Sequence, residues 1–505
     1  MRYRRLGASI VLVLLLGLIG SVAGPGWNPQ PLEHTVVPQS EDTAIGSDAA
    51  TEPVGTYDVV SEVVDVQVAD EVTIQATIAS PVDAPGERPA VLFMHGAGTA
   101  THENFRELTR KLASAGIVTM VPDKRSDTYT ARSRDYVAMA EDYLDSWQTL
   151  RSWPGVDAGR VGVYGESEGA MSAPVAGAMQ EDVAFVVLVS APVLPIREQG
   201  AFAADSYLRE VGVPERILRA IPRLVGGTFP GGGFDYFDFD VSPYQEQLDQ
   251  PVLMIYGAAD ASMPIVQGAQ ILIEDMAVAG NEDYTIRYYE DANHGIRVGQ
   301  KLVPEFPRDL SRWILGLPQT AGAAPVIAGE QPVQGFRADP VDRPRWYATG
   351  NMIIVVLVGG LGLLALGGLI GLALVLTRLR SAGRCLRTGD GVARLATGLA
   401  LSSLATWVFY VSYLAGVASL ALNYQQDAFL VQGGWLVVQA TGVLAAVMVV
   451  LTVSAARRAR RAGGTWRSSG RFRRTAGLVA TVSVVAGGLV LLLSAAYWGV
   501  YPAVV

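Results

Sequence analysis

Apolar and polar residues change their pattern along the first two thirds of the chain. Residues 59–68 and 72–79 alternate apolar with polar side chains, which predicts two strands at the edge of a sheet. Residues 89–95 form a continuous apolar run, which is typical of a strand covered on both faces. From there to about residue 316, apolar runs of strand length alternate with helical segments. This alternation predicts a mostly parallel sheet with helices on both faces.

An interruption breaks this alternation at about residues 192–249. It contains a predicted amphipathic helix at 217–224. It is also rich in glycine and in aromatic residues, namely Phe229, Phe234, Tyr236, Phe237 and Phe239. One interpretation is a cap that lines an apolar substrate pocket. The other is an excursion whose aromatic side chains pack onto the edge of the sheet.

Four long apolar segments fill the last third of the chain, at about residues 351–377, 395–421, 433–456 and 476–501. Each exceeds the roughly 20 residues that span a bilayer, so we predict four transmembrane helices. Arginines concentrate in the connections 378–394 and 457–474, whereas the connection between the second and third segments has no basic residue. The positive-inside rule therefore predicts that both arginine-rich connections are cytoplasmic and that the globular part faces outside.

The remaining segments set the domain limits. Residues 1–23 carry three arginines before an apolar run, which predicts a signal peptide or an uncleaved signal anchor. Residues 24–56 and 317–350 are rich in proline and in small or polar residues, which predicts a flexible spacer and a linker. The sequence thus predicts a globular domain at 57–316 and a four-helix membrane region at 351–505.

The charge of the chain also changes at the boundary between the predicted globular part and the predicted membrane region. Residues 24–350 hold 46 acidic and 23 basic residues, a formal charge of −23, while residues 351–505 hold 13 arginines and two acidic residues. The acidic part would repel nucleic acid, which we exclude as a partner.

The single cysteine, Cys385, excludes an intramolecular disulfide. The four histidines lack metal-ligand spacing, so neither a metal site nor a cofactor is predicted.

The apolar segments themselves contain no charged residue, which argues against a proton or ion pathway. We therefore predict that this region anchors the protein in the lipid bilayer or binds a membrane partner. Gly367 and Gly371 form a G-x-x-x-G pair. They indicate either close helix packing or the general abundance of glycine in membrane helices.

The candidate chemistry lies at Gly165-Glu-Ser-Glu-Gly169, between an apolar strand-like run and a helix start made of small residues. This is the G-x-S-x-G pattern of a nucleophile elbow, a tight strand-to-helix turn that presents a serine at the edge of a sheet. Ser167 is therefore the candidate nucleophile. The competing interpretation is an ordinary glycine-rich turn.

A serine nucleophile needs a base, a carboxylate that orients the base, and donors to an oxyanion. His294 is the only histidine after the elbow and follows a predicted strand, so it is the candidate base. Asp260 ends the preceding predicted strand and is the candidate orienting carboxylate. Asp291 and Asp123 are its rivals.

The backbone N–H groups of Ala97 and Glu168 are the candidate oxyanion donors. Such donors come from the residue after the nucleophile and from the loop after an earlier strand. His95 is expected to support that loop rather than to react. The side chains of Glu166 and Glu168 would either orient a substrate amine or be solvated.

With these motifs, residues 57–316 resemble the α/β-hydrolase superfamily, in particular bacterial esterases, dienelactone hydrolases and serine aminopeptidases with G-x-S-E-G elbows. The matching motifs are His95-Gly-Ala-Gly98, Gly165-Glu-Ser-Glu-Gly169, Gly257-Ala-Ala-Asp260 with Met263-Pro264, and Asn293-His294-Gly295. The resemblance implies an eight-stranded, mostly parallel sheet and acyl transfer to water through a serine ester. It does not extend to the membrane region, and Glu166 departs from the commoner histidine or aromatic residue before the serine.

The expected function is a membrane-anchored, extracytoplasmic serine hydrolase that cleaves small-molecule carboxylic esters. Two alternatives stay open. One is a peptidase or acyltransferase that uses the same three residues, and the other is a non-catalytic ligand-binding ectodomain.

Overall fold

The computed structural model describes residues 2–23, 29–69, 71–214, 218, 234–341, 345–380, 390–422, 425, 427–461 and 471–502. The chain divides into two compact units. The first, called the sheet unit, comprises Pro29–Ala203 and Gly233–Pro340. The second, called the helical unit, comprises Met1–Asn28, Ala204–Gly232 and Val341–Val505.

The strands of the sheet unit are β1 Val59–Ala69, β2 Val72–Pro81, β3 Arg88–Met94, β4 Val118–Pro122, β5 Val156–Glu166, β6 Val186–Val189, β7 Val252–Gly257, β8 Tyr284–Tyr289, β9 Arg297–Val298, β10 Lys301–Leu302 and β11 Ile327–Gly329. Nine of them form one sheet in the order β1-β2-β4-β3-β5-β6-β7-β8-β11, and β9 pairs with β10. β2 is antiparallel to both of its neighbours, and all other neighbours in the sheet are parallel. The predicted mostly parallel sheet is thus confirmed, with β11 as an additional ninth strand.

The α-helices of the described residues are α1 Arg2–Ala23, α2 Arg106–Ser114, α3 Tyr136–Arg151, α4 Gly169–Met179, α5 Ile196–Glu210, α6 Ser242–Gln245, α7 Ile265–Ala279, α8 Glu305–Gly316, α9 Gly350–Arg380, α10 Asp390–Leu422, α11 Gly434–Arg461 and α12 Arg471–Tyr497. Helices α3, α4 and α7 cover one face of the sheet, and α2 and α8 cover the other. This explains why β3 is apolar from Pro89 to Met94. Leu92 and Met94 enter the first core, while Val91 and Phe93 enter the second.

The segments predicted to be a flexible spacer and a linker differ from that prediction, because both lie against the sheet. Val36 and Ile45 are buried, and β11 pairs with β8. The buried guanidinium of Arg287 donates hydrogen bonds to the carbonyls of Thr43 and Pro325, at 2.8 and 2.9 Å. A buried cation needs such acceptors, and proline-rich composition gives no sign that these two segments supply them.

The described part of the insertion at 192–249 contains α5 and α6. Its aromatic residues pack on each other and on α3, since Phe239 lies 5.0 Å from the ring of Tyr136 and Phe234 lies 4.3 Å from that of Phe237. This favours the packing interpretation for these residues. Phe229 and the predicted helix at 217–224, apart from Leu218, lie outside the described residues.

Among the described residues, five helices of the helical unit are long and apolar enough to cross a membrane, namely α1, α9, α10, α11 and α12. The last four coincide with the four predicted segments. The predicted arginine-rich connections lie partly outside the described residues, at 381–389 and 462–470.

Glycine brings two of these helices close together. A Cβ atom on Gly487 would lie 2.7 Å from the carbonyl oxygen of Gly360, so the backbones of α9 and α12 approach directly. A Cβ on Gly367 would lie 2.7 Å from the carbonyl oxygen of Ala480, whereas one on Gly371 would meet no atom within 4 Å. Only the first glycine of the G-x-x-x-G pair therefore packs against a neighbouring helix.

Candidate active site

Ser167 occupies the tight turn between β5 and α4. Its φ of 54° lies in the left-handed region, which a non-glycine residue adopts at a cost in strain. The glycines on either side permit this turn. A Cβ on Gly165 would lie 2.6 Å from the carbonyl oxygen of Gly169, and one on Gly169 would lie 2.3 Å from that of Met94. The turn thus has the backbone of a nucleophile elbow.

His294 and Asp260 form a close pair in the loops after β8 and β7. His294 Nδ1 lies 2.8 Å from Asp260 Oδ2. The carboxylate is fully buried, while 30% of the imidazole is exposed. Because an ionised carboxylate only accepts hydrogen bonds, Nδ1 carries the proton in the neutral ring and Nε2 keeps its lone pair.

The end of β6 brings this pair to the elbow. The N–H of Ser167 donates to the carbonyl oxygen of Val189 at 2.9 Å. At the next position, the hydroxyl of Ser190 donates to the carbonyl oxygen of His294 at 2.7 Å. Among the described residues, the Ser167 hydroxyl has no hydrogen-bond partner, and the ring contacts of His294 are both made by Nδ1, with Asp260 and Ser262.

The loop after β3 lies against the serine. A Cβ on Gly96 would lie 3.3 Å from Ser167 Cβ. Within the described parts of the chain, the N–H groups of Ala97 and Glu168 meet no protein acceptor, as expected of groups that receive an oxyanion. Glu168 directly precedes α4, so its N–H lies at the helix N-terminus, where the dipole favours negative charge such as that of an oxyanion.

The carboxylate of Glu168 is buried in a network of cations and tyrosines. It accepts hydrogen bonds from Lys124 Nζ at 2.7 Å and Arg134 Nη1 at 2.5 Å. The hydroxyls of Tyr129 and Tyr136 donate to it at 2.9 and 3.1 Å. The prediction that this side chain orients a substrate amine or is solvated is therefore wrong, because four donors already occupy it.

The same network holds the loop after β3. Lys124 Nζ donates to the carbonyl oxygen of Gly96 at 2.8 Å. The N–H of Gly98 donates to the hydroxyl of Tyr129 at 2.9 Å. Glu168 is thus linked through Lys124 and Tyr129 to the residues on both sides of Ala97.

Burial and neighbouring charges shift the pKa values of Asp260, His294 and Glu168. Burial of Asp260 opposes its ionisation, but His294 and the two hydrogen bonds from Ser262 outweigh this, and the pKa of the carboxyl lies below its usual value. Burial of His294 disfavours the imidazolium, yet Asp260 and then Glu166 more than compensate and raise its pKa. In Glu168, burial is outweighed by Lys124 and Arg134, which lower the pKa of the carboxyl.

Asp291 and Asp123, the alternatives to Asp260, lie in different surroundings from it, and His95 and Glu166 have partners of their own. Asp291 is exposed, and Asp123 lies 2.7 Å from the ring of His102. His95 is buried, with Nε2 2.6 Å from the carbonyl oxygen of Pro122, in agreement with a supporting role. The carboxylate of Glu166 accepts a hydrogen bond from Tyr164 at 2.8 Å.

Three features of the site were not anticipated from the sequence. Ser262 donates its hydroxyl to Asp260 Oδ1 at 2.5 Å and its N–H to the same atom at 2.9 Å. The spacing Asp-x-Ser is a turn signal that could have indicated this contact. Lys124 and Arg134 carried no such signal, because only the fold brings them to Glu168.

Comparisons with known proteins find similar chains among solved structures, at low sequence identity. No family model matches the chain, and a search of curated proteins finds no match. Among solved structures, a putative dienelactone hydrolase from Klebsiella pneumoniae is 18% identical, with 52% of this chain and 99% of that chain covered and a TM-score of 0.36. An esterase from Pyrobaculum calidifontis is 23% identical, with 52% and 84% covered and a TM-score of 0.39. Dipeptidyl peptidase 4 of Porphyromonas gingivalis is 18% identical, with 51% and 35% covered and a TM-score of 0.36.

The strand order, the antiparallel second strand and the elbow after β5 identify the fold independently of these likenesses. The sheet unit has the α/β-hydrolase fold, and several long apolar helices follow it in the chain.

Proposed function

We propose that the protein is a membrane-anchored, extracytoplasmic serine hydrolase that cleaves carboxylic esters. Ser167 is the nucleophile, His294 the base and Asp260 the orienting carboxylate. The observation that carries the proposal is the Asp260–His294 pair, 2.8 Å apart, at the same sheet edge as the strained elbow serine.

In the proposed reaction, His294 Nε2 takes the proton of Ser167 as the hydroxyl oxygen attacks the ester carbonyl. The N–H groups of Ala97 and Glu168 stabilise the resulting oxyanion. The tetrahedral intermediate then collapses, the C–O bond to the alcohol breaks, and His294 returns the proton to the leaving alkoxide. Water, activated by the same imidazole, hydrolyses the acyl-enzyme and regenerates Ser167.

The surroundings of Glu168 favour esters over peptides with a free amino terminus. A peptidase that holds a substrate ammonium needs an unpaired, ionised carboxylate beside the nucleophile. Glu168 is already paired with Lys124 and Arg134. Burial raises the pKa of Glu166, which disfavours its ionised form. Ester cleavage needs no such anchor.

The outward orientation follows from charge. The described end of α11 carries Arg457, Arg458, Arg460 and Arg461, and the positive-inside rule assigns this end to the cytoplasm. Three spans, α9 to α11, separate this end from the sheet unit. An odd number of spans assigns the sheet unit to the opposite side.

The test is labelling of the full chain with a fluorophosphonate, together with turnover of short- to long-chain acyl esters. We expect Ser167→Ala to abolish labelling and to lower kcat by about 10³-fold or more. Ser61→Ala, on the exposed edge strand β1, is the matched control and should label like the parent. Equal labelling of Ser167→Ala and the parent would refute the proposal, and a folded parent that does not label would favour a binding role.

A further inference from the structure

A cavity of about 470 Å³ lies within the helical unit, between α9, α10 and α12. This volume is in the range of roughly 300–1,000 Å³ that is typical of ligand pockets. The floor is made of buried residues, including Leu364, Gly367, Ala480 and Val484. The rim carries Leu372, Val375 and Leu401, which are 55%, 48% and 62% exposed. The cavity is therefore open along one side, on a surface of the helices that is apolar.

Small residues create the space. Gly368 and Gly371 of α9, Ala393, Ala396 and Ala400 of α10, and Gly477 of α12 line the walls. A Cβ atom on Gly368 or on Gly371 would meet no atom within 4 Å. These glycines are thus not needed for close helix packing, in contrast to Gly367, and they keep a volume free that larger side chains would fill.

One end of the cavity is cationic. Among the described residues, Arg473 is the only charged residue in the lining, and its guanidinium donates to the carbonyl oxygen of Thr377 at 3.4 Å. The described part of the lining contains no acidic residue. Ala459, which also lines the cavity, lies between Arg458 and Arg460 at the end of α11. An occupant that matches this lining is apolar along its length and negatively charged at one end.

We propose that this cavity binds an anionic phospholipid, with one acyl chain between α9, α10 and α12 and the phosphate at Arg473. The exposed rim of leucine and valine allows the chain to enter sideways from the hydrocarbon of the bilayer. Basic pockets between membrane helices bind anionic headgroups by the same combination of apolar walls and arginine. The proposal does not depend on the reaction at Ser167.

The test is native mass spectrometry of the full chain in detergent, titrated with phosphatidylglycerol or with phosphatidylcholine of identical acyl chains. We expect the parent to retain one phosphatidylglycerol and to bind phosphatidylcholine more weakly. Gly371→Leu fills the cavity and should weaken phosphatidylglycerol binding about tenfold, a loss of roughly 1.4 kcal/mol. The matched control is Gly362→Leu on the same helix, where a Cβ also meets no atom within 4 Å but which does not line the cavity.

Arg473→Gln tests the headgroup separately. It should weaken phosphatidylglycerol binding about fivefold and leave phosphatidylcholine binding unchanged. Arg345→Gln, before the start of α9 and outside the cavity lining, is its control and should retain the preference. Equal binding of the two lipids by the parent, or an equal preference in the parent and Arg473→Gln, would overturn the proposal even if Gly371→Leu failed to fold.

Discussion

The two units differ in how some of their buried polar groups are satisfied. Beside Ser167, the sheet unit buries Glu168 with Lys124 and Arg134, so the charges depend on partners from different elements. In the helical unit, the buried hydroxyls of Ser402 and Thr406 bond to carbonyl oxygens one turn earlier in their own helix.

The difference has a physical consequence. A buried charge is stable only with partners, whereas a hydroxyl satisfied within its own helix needs none. Removal of one charged group should therefore disturb several elements of the sheet unit. The helical unit should instead be sensitive to changes in packing.

The largest expected effect on kcat comes from the carboxylate that orients the base. Asp260→Asn should lower kcat by about 10³- to 10⁴-fold, because an amide cannot hold Nδ1–H and stabilise the imidazolium as a carboxylate does. Steady-state kinetics with an ester substrate measure this loss. Asp291→Asn changes an exposed carboxyl three residues from His294 and should leave kcat unchanged. A large loss in Asp291→Asn with none in Asp260→Asn would reverse the assignment.

Lys124→Met should cost about 3–5 kcal/mol of stability, since it removes one partner from a buried ion pair. A urea titration of the parent and the variant measures the difference in the free energy of unfolding. Asp182→Asn removes the exposed pair with Arg151 and should cost at most about 1 kcal/mol. The double variant Lys124→Met and Glu168→Gln should cost less than the sum of the two single changes, and a fully additive loss would contradict the coupling of the two residues.

Gly487→Ala tests whether the helical unit is sensitive to changes in packing. Its new methyl group would push against the backbone of Gly360, so we expect a cost of about 1–3 kcal/mol from overpacking. The Tm of the detergent-solubilised chain reports this cost. Gly371→Ala adds the same methyl group to open space in the same unit and should not lower Tm. Equal Tm values for both variants would show that α9 and α12 do not depend on close approach.

The smallest expected effect is a shift in the pH profile of kcat/KM. The base works only as neutral imidazole, so a raised pKa of His294 moves the acid limb of kcat/KM above the usual histidine value. Glu166→Gln removes a negative charge that favours the imidazolium. It should therefore lower the pKa of His294 and move the acid limb to lower pH, by less than about one pH unit. Glu290→Gln, an exposed change at the end of β8, should leave the profile in place, and a shift of Glu166→Gln to higher pH would contradict the argument.

Much of the architecture was predictable from the sequence because it follows local periodicity. The apolar run that follows Arg88 in β3 indicated a strand with helices on both faces, and α9 to α12 were evident from length and composition alone. The elbow was also predictable, because its backbone demands glycine at fixed positions around Ser167.

Tertiary structure decided what depends on contacts between distant residues. Nothing in the sequence around Lys124 or Arg134 indicates that both meet Glu168, and the proline-rich segments gave no sign of packing on the sheet. The carboxylate of Glu168 was also misjudged, because a glutamate beside a serine looks the same whether it is solvated or bound by four donors. Local pattern determines which elements form. The partners of a buried charge are set only when the chain brings separate elements together, since the cost of its burial must be met by whichever groups the fold places there.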